Sequence, residues 1–248
     1  MTEMIFYALV GGLVPVAIWL YFWLKEDAVK PEPIRRIVFV FLAGAVSVII
    51  AYLLERLWCQ SSWLAPACQH ISDSSNNQLG GPEKVVLILW SATEEILKLF
   101  AVYLIVFNHR DFDEPVDAMI YLITAALGFA ALENALFLFD ILSQPGTLTN
   151  TSITFLLTGN LRFLGANITH IVSSAIVGAM VGLSFCLSLG RRLTYAIIGL
   201  TTAILLHALF NLLIITSDGS QIFKVFSLLW LFAIFIILLF ERVKRVVC

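Results

Sequence analysis

Apolar residues fill seven stretches of the chain, at about 4–24, 34–55, 84–107, 116–142, 161–189, 194–216 and 222–241. A helix needs roughly 20 such residues to cross a hydrocarbon core of about 30 Å, and each stretch meets that length. The pattern predicts an all-α fold, a polytopic transmembrane helical bundle of about seven spans. The loops between them are too short for a second domain, and no period repeats. Residues 1–248 therefore read as a single integral-membrane domain. No small-residue cleavage site follows Met4–Leu24, so that segment reads as a retained first span rather than a signal peptide.

The third stretch breaks the pattern. Val85 to Phe107 is apolar except for SATEEILKLF, which puts Glu94, Glu95 and Lys98 near its middle. Each such charge costs about 2.5–3.5 kcal/mol at the bilayer centre, while Leu, Ile, Phe and Val return only about 0.3–0.6 kcal/mol apiece. Fourteen of those residues barely offset three charges. Charges kept at that cost point to chemistry or to a polar network inside the membrane.

Composition supports the membrane reading. The chain is 60% hydrophobic and 13% charged, with a mean hydropathy of +0.95, which excludes an ordinary soluble domain. A net charge of −2 makes no case for a nucleic-acid partner; the lipid bilayer is the partner the composition implies. With the N-terminus outside, ten Lys and Arg residues fall on inner segments and four on outer ones, all four beside span ends. That bias predicts an outside N-terminus, an inside C-terminus and a multi-pass protein of the cell membrane. The longest loop, 56–83, is then outside and holds Cys59 and Cys68. A disulfide between them suits an oxidising compartment; two unrelated thiols are the alternative. Asn150-Thr-Ser is a formal glycosylation sequon in an outer loop. Asp111, Asp113, Glu114 and Pro115 suit the first turn of span four, where acids complement the helix dipole.

Three further spans carry polar motifs: Glu133-Asn134, His170 with Ser174, and His207 with Asn211. Residues four apart share a helix face, so Glu94 lies with Lys98, His170 with Ser174 and His207 with Asn211. Counted from the outer span ends, Glu94, Glu133, His170 and His207 all lie about 13–15 Å deep at 1.5 Å per residue. Four consecutive spans thus bring an ionisable group to one level. Each motif alone has a structural reading: an intrahelical Glu94–Lys98 pair, a hydrogen-bonding histidine, or packing polarity from Asn134, Ser174 and Asn211.

A carboxylate shielded from water is suited to act as a general base near neutrality, and a neighbouring histidine can share the proton. A second histidine with an asparagine four residues on supplies two donors for a developing oxyanion. No GxSxG, HExxH or Gly-rich phosphate loop is present, and no aspartate pair lies inside the membrane, since Asp117 and Asp140 sit near opposite ends of span four. Two glutamates and two histidines can also chelate zinc, although their spacing matches no established signature.

The motifs EExxK (Glu94, Glu95, Lys98), EPxD…Y…GFxxxEN (Glu114, Pro115, Asp117, Tyr121, Gly128, Phe129, Glu133, Asn134), HxxxS (His170, Ser174) and HxxxN (His207, Asn211) resemble the PrsW family. These are intramembrane glutamic endopeptidases related to the prenyl-protein (CAAX) endopeptidases, and the resemblance covers about residues 82–216. It implies a helical bundle in which Glu and His activate water with neither metal nor cofactor. By that resemblance Glu94 is the base, His170 its partner, and His207 with Asn211 the oxyanion site. Glu95 orients the group and Lys98 balances its charge, while Glu133 has no assigned role. The implied substrate is a single-span membrane protein resembling an anti-sigma factor, cut first near its extracytoplasmic end. GFAALEN at 128–134 favours PrsW over the prenyl enzymes, which trim a lipidated C-terminus. Two readings from other classes compete. One is a non-catalytic membrane scaffold or immunity-type protein; the other is an ion-coupled transporter, against which stands the lack of an inverted repeat.

Overall fold

A computed structural model describes residues 2–27, 30–72, 79–143, 152–216 and 222–247, with side chains from 165 onward in the helix that begins at 152. Eight α-helices account for nearly all of them: α1 (Thr2–Glu26), α2 (Ile34–Cys59), α3 (Ala65–Ser72), α4 (Gly81–Val102), α5 (Asp117–Ser143), α6 (Ser152–Leu183), α7 (Leu189–Thr216) and α8 (Ile222–Val243). No strand occurs among the described residues. Six helices are long and apolar enough to cross a membrane: α1, α2, α5, α6 from Gly165, α7 and α8 from Phe223. The third expected span corresponds to α4, which at 22 residues has the length but, carrying Glu94, Glu95 and Lys98, is not among these six. A π-helical turn, Tyr103–Phe107, extends it, a feature the apolar pattern does not encode.

Helix α5 is the axis of the bundle. Every residue from Asp117 to Ala131 is buried, and the helix packs against α1, α2 and α6. Small residues let the backbones meet. A Cβ on Gly44 would collide with the carbonyl oxygen of Ala125, and one on Gly128 with that of Phe41. The α2–α5 contact is therefore closed by two glycines, one from each helix, as expected where lipid gives helices no hydrophobic reason to associate. Helix α4 packs on α2, α5 and α7, and α6 on α5, α7 and α8. These contacts set the four motif-bearing helices side by side.

At one end of the bundle, α3 folds over the start of α4, burying Leu64, Ala67, Cys68 and Val86 together. Cys59 and Cys68 form a disulfide there. The Asn150 sequon lies outside the described residues. At the Arg-rich end, the acids before α5 are ion-paired rather than set in its first turn. Asp113 and Glu114 meet Lys30 at 2.8 and 3.1 Å, and Asp111 meets Arg36 at 3.1 Å. The Asp117 carboxylate accepts the backbone N–H groups of Asp113 and Glu114, closing the turn into the helix.

Candidate active site

Four helices deliver one polar side chain or more to a common level. From α4 come Glu94, Glu95 and Lys98; from α5, Glu133; from α6, His170 and Ser174; from α7, His207. Lys98 and Glu95 are 0% and 1% exposed, so their charges must be met by one another and by neighbours. Glu95 is fully occupied. Its Oε1 accepts from Lys98 Nζ and His207 Nδ1, both at 2.8 Å, and its Oε2 accepts from the Ser174 hydroxyl at 2.9 Å. Lys98 also donates to His170 Nδ1 at 2.8 Å and lies 4.4 Å from the centre of the Phe129 ring.

These bonds fix both imidazoles. An ammonium only donates, so His170 Nδ1 must accept and its proton sits on Nε2, which donates to Glu133 at 2.7 Å. A carboxylate only accepts, so His207 donates from Nδ1, which turns its Nε2 toward Glu94. The two rings meet edge to face with centroids 5.0 Å apart.

Glu94 differs from Glu95. Its Oε2 is buried and has no hydrogen-bond partner. His207 Nε2 and His170 Nδ1 both lie 3.8 Å from it, and Lys98 Nζ 3.5 Å. The 3.8 Å between Glu94 Oε2 and His207 Nε2 is too long for a direct hydrogen bond and is a separation that a bridging water can span. Glu94, His170 and His207 line a cavity of about 260 Å³, together with Glu133, Asn134 and Asn211. Its other walls include Glu55, Trp90 and Ile214, which lie from this level toward the disulfide end.

Glu94, Glu133, Asn134, His170, His207 and Asn211 line the cavity, while Glu95, Lys98 and Ser174 are bonded behind it and Cys59 and Cys68 lie apart from it. Asn134 donates to Asn167 at 2.9 Å. Two participants escape sequence reasoning. Asn167 is one turn from His170, at the spacing of a shared face, so the signal was present in the i,i+3 relation. Glu55 sits beside Arg56 at a span end, where charges are ordinary, and nothing local marks it as cavity-lining.

A model of the PrsW family, described as intramembrane metalloproteases, matches residues 32–239. The chain belongs to the PrsW family. This PrsW-family chain is 30% identical to Protease PrsW of Geobacillus kaustophilus over 129 residues, 52% of the chain and 50% of the relative. Against Protease PrsW of Bacillus subtilis it is 32% identical over 133 residues, 52% of each. The match to the Halalkalibacterium halodurans protein is longer and weaker: 23% over 217 residues, 85% of the chain and 84% of the relative. The chain thus spans about half the length of the first two of these relatives. No solved structure matches it. Family and helices together make it a multi-pass protein of the cell membrane.

The family description raises a metal. Ligating atoms of Glu94, His170 and His207 all lie within 4.8 Å of one another, and one carboxylate with two imidazoles is a donor set that catalytic zinc uses. Each histidine is backed by a carboxylate, Glu133 or Glu95, as metal-bound histidines are. The donors fit a divalent ion in type and burial. One bond competes with it: the single in-plane lone pair of His170 Nδ1 already takes the Lys98 ammonium.

Proposed function

We propose that the chain is an intramembrane endopeptidase of the glutamic type. It would hydrolyse a peptide bond near the extracytoplasmic end of a single-span, membrane-anchored protein resembling an anti-sigma factor. The observation that carries this reading is the Oε2 of Glu94, buried without a hydrogen bond and facing Nε2 of His207 across 3.8 Å in a cavity.

In this account Glu94 and His207 hold the water between them. Glu94 takes a proton as the water oxygen attacks the substrate carbonyl carbon, and the carbonyl π electrons move onto its oxygen. The Asn211 side chain, on the same cavity wall, donates to that oxyanion. Collapse breaks the C–N bond, and the proton held at Glu94 passes to the leaving amine. Glu95 is a positioning group, since its three bonds fix His207, Lys98 and Ser174. His170, held between Lys98 and Glu133, braces the ammonium beside Glu94.

The cavity runs toward the disulfide end, so water and substrate would enter from there. A substrate helix exposes its carbonyls only where it ends or unwinds, which places the cut at or just beyond its extracytoplasmic end. The experiment is to compare membranes containing wild type and Glu94→Gln for new termini in single-span proteins.

The donor set favours a second reading. Glu94, His170 and His207 would hold a divalent ion, with Lys98 withdrawn from His170. Such an ion, when bound, polarises water and carbonyl oxygen. Stoichiometric metal in purified protein, with activity lost on chelation and restored by the ion, would establish this reading. Full activity in metal-free protein would establish the glutamate one.

A further inference from the structure

The Arg-rich end of the bundle holds a second cavity, about 430 Å³, that shares no lining residue with the one at Glu94. It is a groove between the last turn of α4, the π-helical turn and the junction of α6 with α7. Its walls are mainly apolar, with one side built of aromatic rings: Phe100, Tyr103, Phe107, Phe112 and Phe185. Phe100 and Tyr103 are about half exposed, so the groove opens on the face that the bilayer covers. Most lipid-facing surface is apolar without a fixed charge. This groove has Arg192 on its wall.

Arg192 is fixed in place. Its Nε donates to the Leu187 carbonyl at 2.9 Å, its Nη2 donates to the Phe185 carbonyl, and its guanidinium lies 5.6 Å from the Phe185 ring centre. Among the described residues it pairs with no carboxylate. The acids flanking Phe112 are turned elsewhere, Asp111 to Arg36 and Asp113 and Glu114 to Lys30. Arg191 and Arg110, both exposed at the same end, add positive field. A guanidinium has five donors in a fixed fork, and two carbonyls leave donors to spare.

An apolar slot with an unpaired, immobilised cation beside it is complementary to an anionic amphiphile. We infer that the groove binds an anionic phospholipid, with one acyl chain along the aromatic wall and the phosphate on Arg192. Basic pockets between helices at membrane level hold such headgroups. This site does not depend on the peptidase reading, since none of its lining residues lines the cavity at Glu94.

The test uses the full chain purified in detergent, mixed with equimolar phosphatidylglycerol and phosphatidylcholine, with native mass spectrometry counting retained lipid. Wild type should retain phosphatidylglycerol several-fold over phosphatidylcholine. Arg192→Gln should bring that preference to unity, while Arg192→Lys should keep most of it. Ala196→Trp, which fills the groove from its wall, should remove the retained lipid. Helicity and elution volume check that the variants fold. Equal retention of the two lipids by wild type overturns the inference, as does an unchanged preference in Arg192→Gln or unchanged retention in Ala196→Trp. A peptide copurifying in place of lipid overturns it too.

Discussion

Lys98 Nζ lies 2.8 Å from His170 Nδ1, and this one bond sets the tautomer of His170. It makes Nδ1 an acceptor, puts the ring proton on Nε2, and so binds His170 to Glu133. With Glu95 accepting from Lys98, His207 and Ser174, the ammonium and both imidazoles are held, and Glu94 Oε2 is left without a hydrogen bond, 3.5 Å from the ammonium.

Lys98→Met should therefore be costly. It removes the one cation shared by Glu94 and Glu95 and leaves two buried carboxyls without it. Removing one partner of a buried pair costs about 3–5 kcal/mol. Thermal unfolding in detergent should show a large drop, and Lys98→Met combined with Glu95→Gln should recover part of it.

Glu94→Gln and Glu95→Gln should separate chemistry from architecture. Glu94 Oε2 makes no hydrogen bond and is the farther of the two carboxylates from Lys98, so Glu94→Gln should cost less stability than Glu95→Gln and still lose turnover. Glu95 accepts three hydrogen bonds, so Glu95→Gln should lower stability as well as activity. Asn211→Ala should leave a residue of activity, reduced about 100- to 1000-fold if its amide serves the oxyanion. Rates and melting temperatures on the same preparations check all three.

Sequence and structure agree most closely where helical spacing governs. The 3.6-residue period aligned Glu94 with Lys98, His170 with Ser174 and His207 with Asn211, and antiparallel threading brought them to one level. Spacing could not say which bonds would form. Lys98 is nearer to Glu95 than to Glu94, at 2.8 against 3.5 Å, and Ser174 bonds Glu95 rather than anything on its own helix. The rotation of α6 and α7 about their axes settles those choices, and it depends on contacts such as Gly178 against Met119 that no short motif encodes. The π-helical turn at Tyr103–Phe107 is similarly silent in an unbroken apolar run.

The disulfide at Cys59–Cys68 closes a loop of nine residues' separation and ties the end of α2 to α3. By chain entropy a loop of this size is worth about 2–3 kcal/mol. Alkylation should shift the mass of these cysteines only after reduction, and Cys59→Ser should unfold at a lower temperature. With the ten-to-four basic bias, that end should be extracytoplasmic, so reporters fused to the C-terminus should report the cytoplasm.

The loop between α1 and α2 predicts a pH dependence of stability. Burial, then the charges of Asp117 and Glu114, pushes Asp27 from 3.8 up to about 7, against the lowering effect of Lys244 and Lys30. Burial and a hydrogen bond with Asp117 push Glu32 from 4.5 up to about 8, against the lowering effect of the Tyr121 hydroxyl that donates to it. Both carboxyls hold protons more tightly folded than unfolded. The stability they contribute is full below their ordinary values and is lost as pH rises through about 7 and about 8. Melting temperature should fall across that window, and Asp27→Asn with Glu32→Gln should flatten the fall.

Water activated at Glu94 should cut a membrane-anchored protein near its extracytoplasmic end, and mass-spectrometric mapping of protein termini in membranes carrying wild type or Glu94→Gln reads that cut. Wild type should yield new termini at the extracytoplasmic boundary of a single-span protein, all absent in Glu94→Gln. Identical termini in both membranes would contradict it. So would cuts on the cytoplasmic side or in a lipidated C-terminal tail, the latter favouring a prenyl-protein endopeptidase.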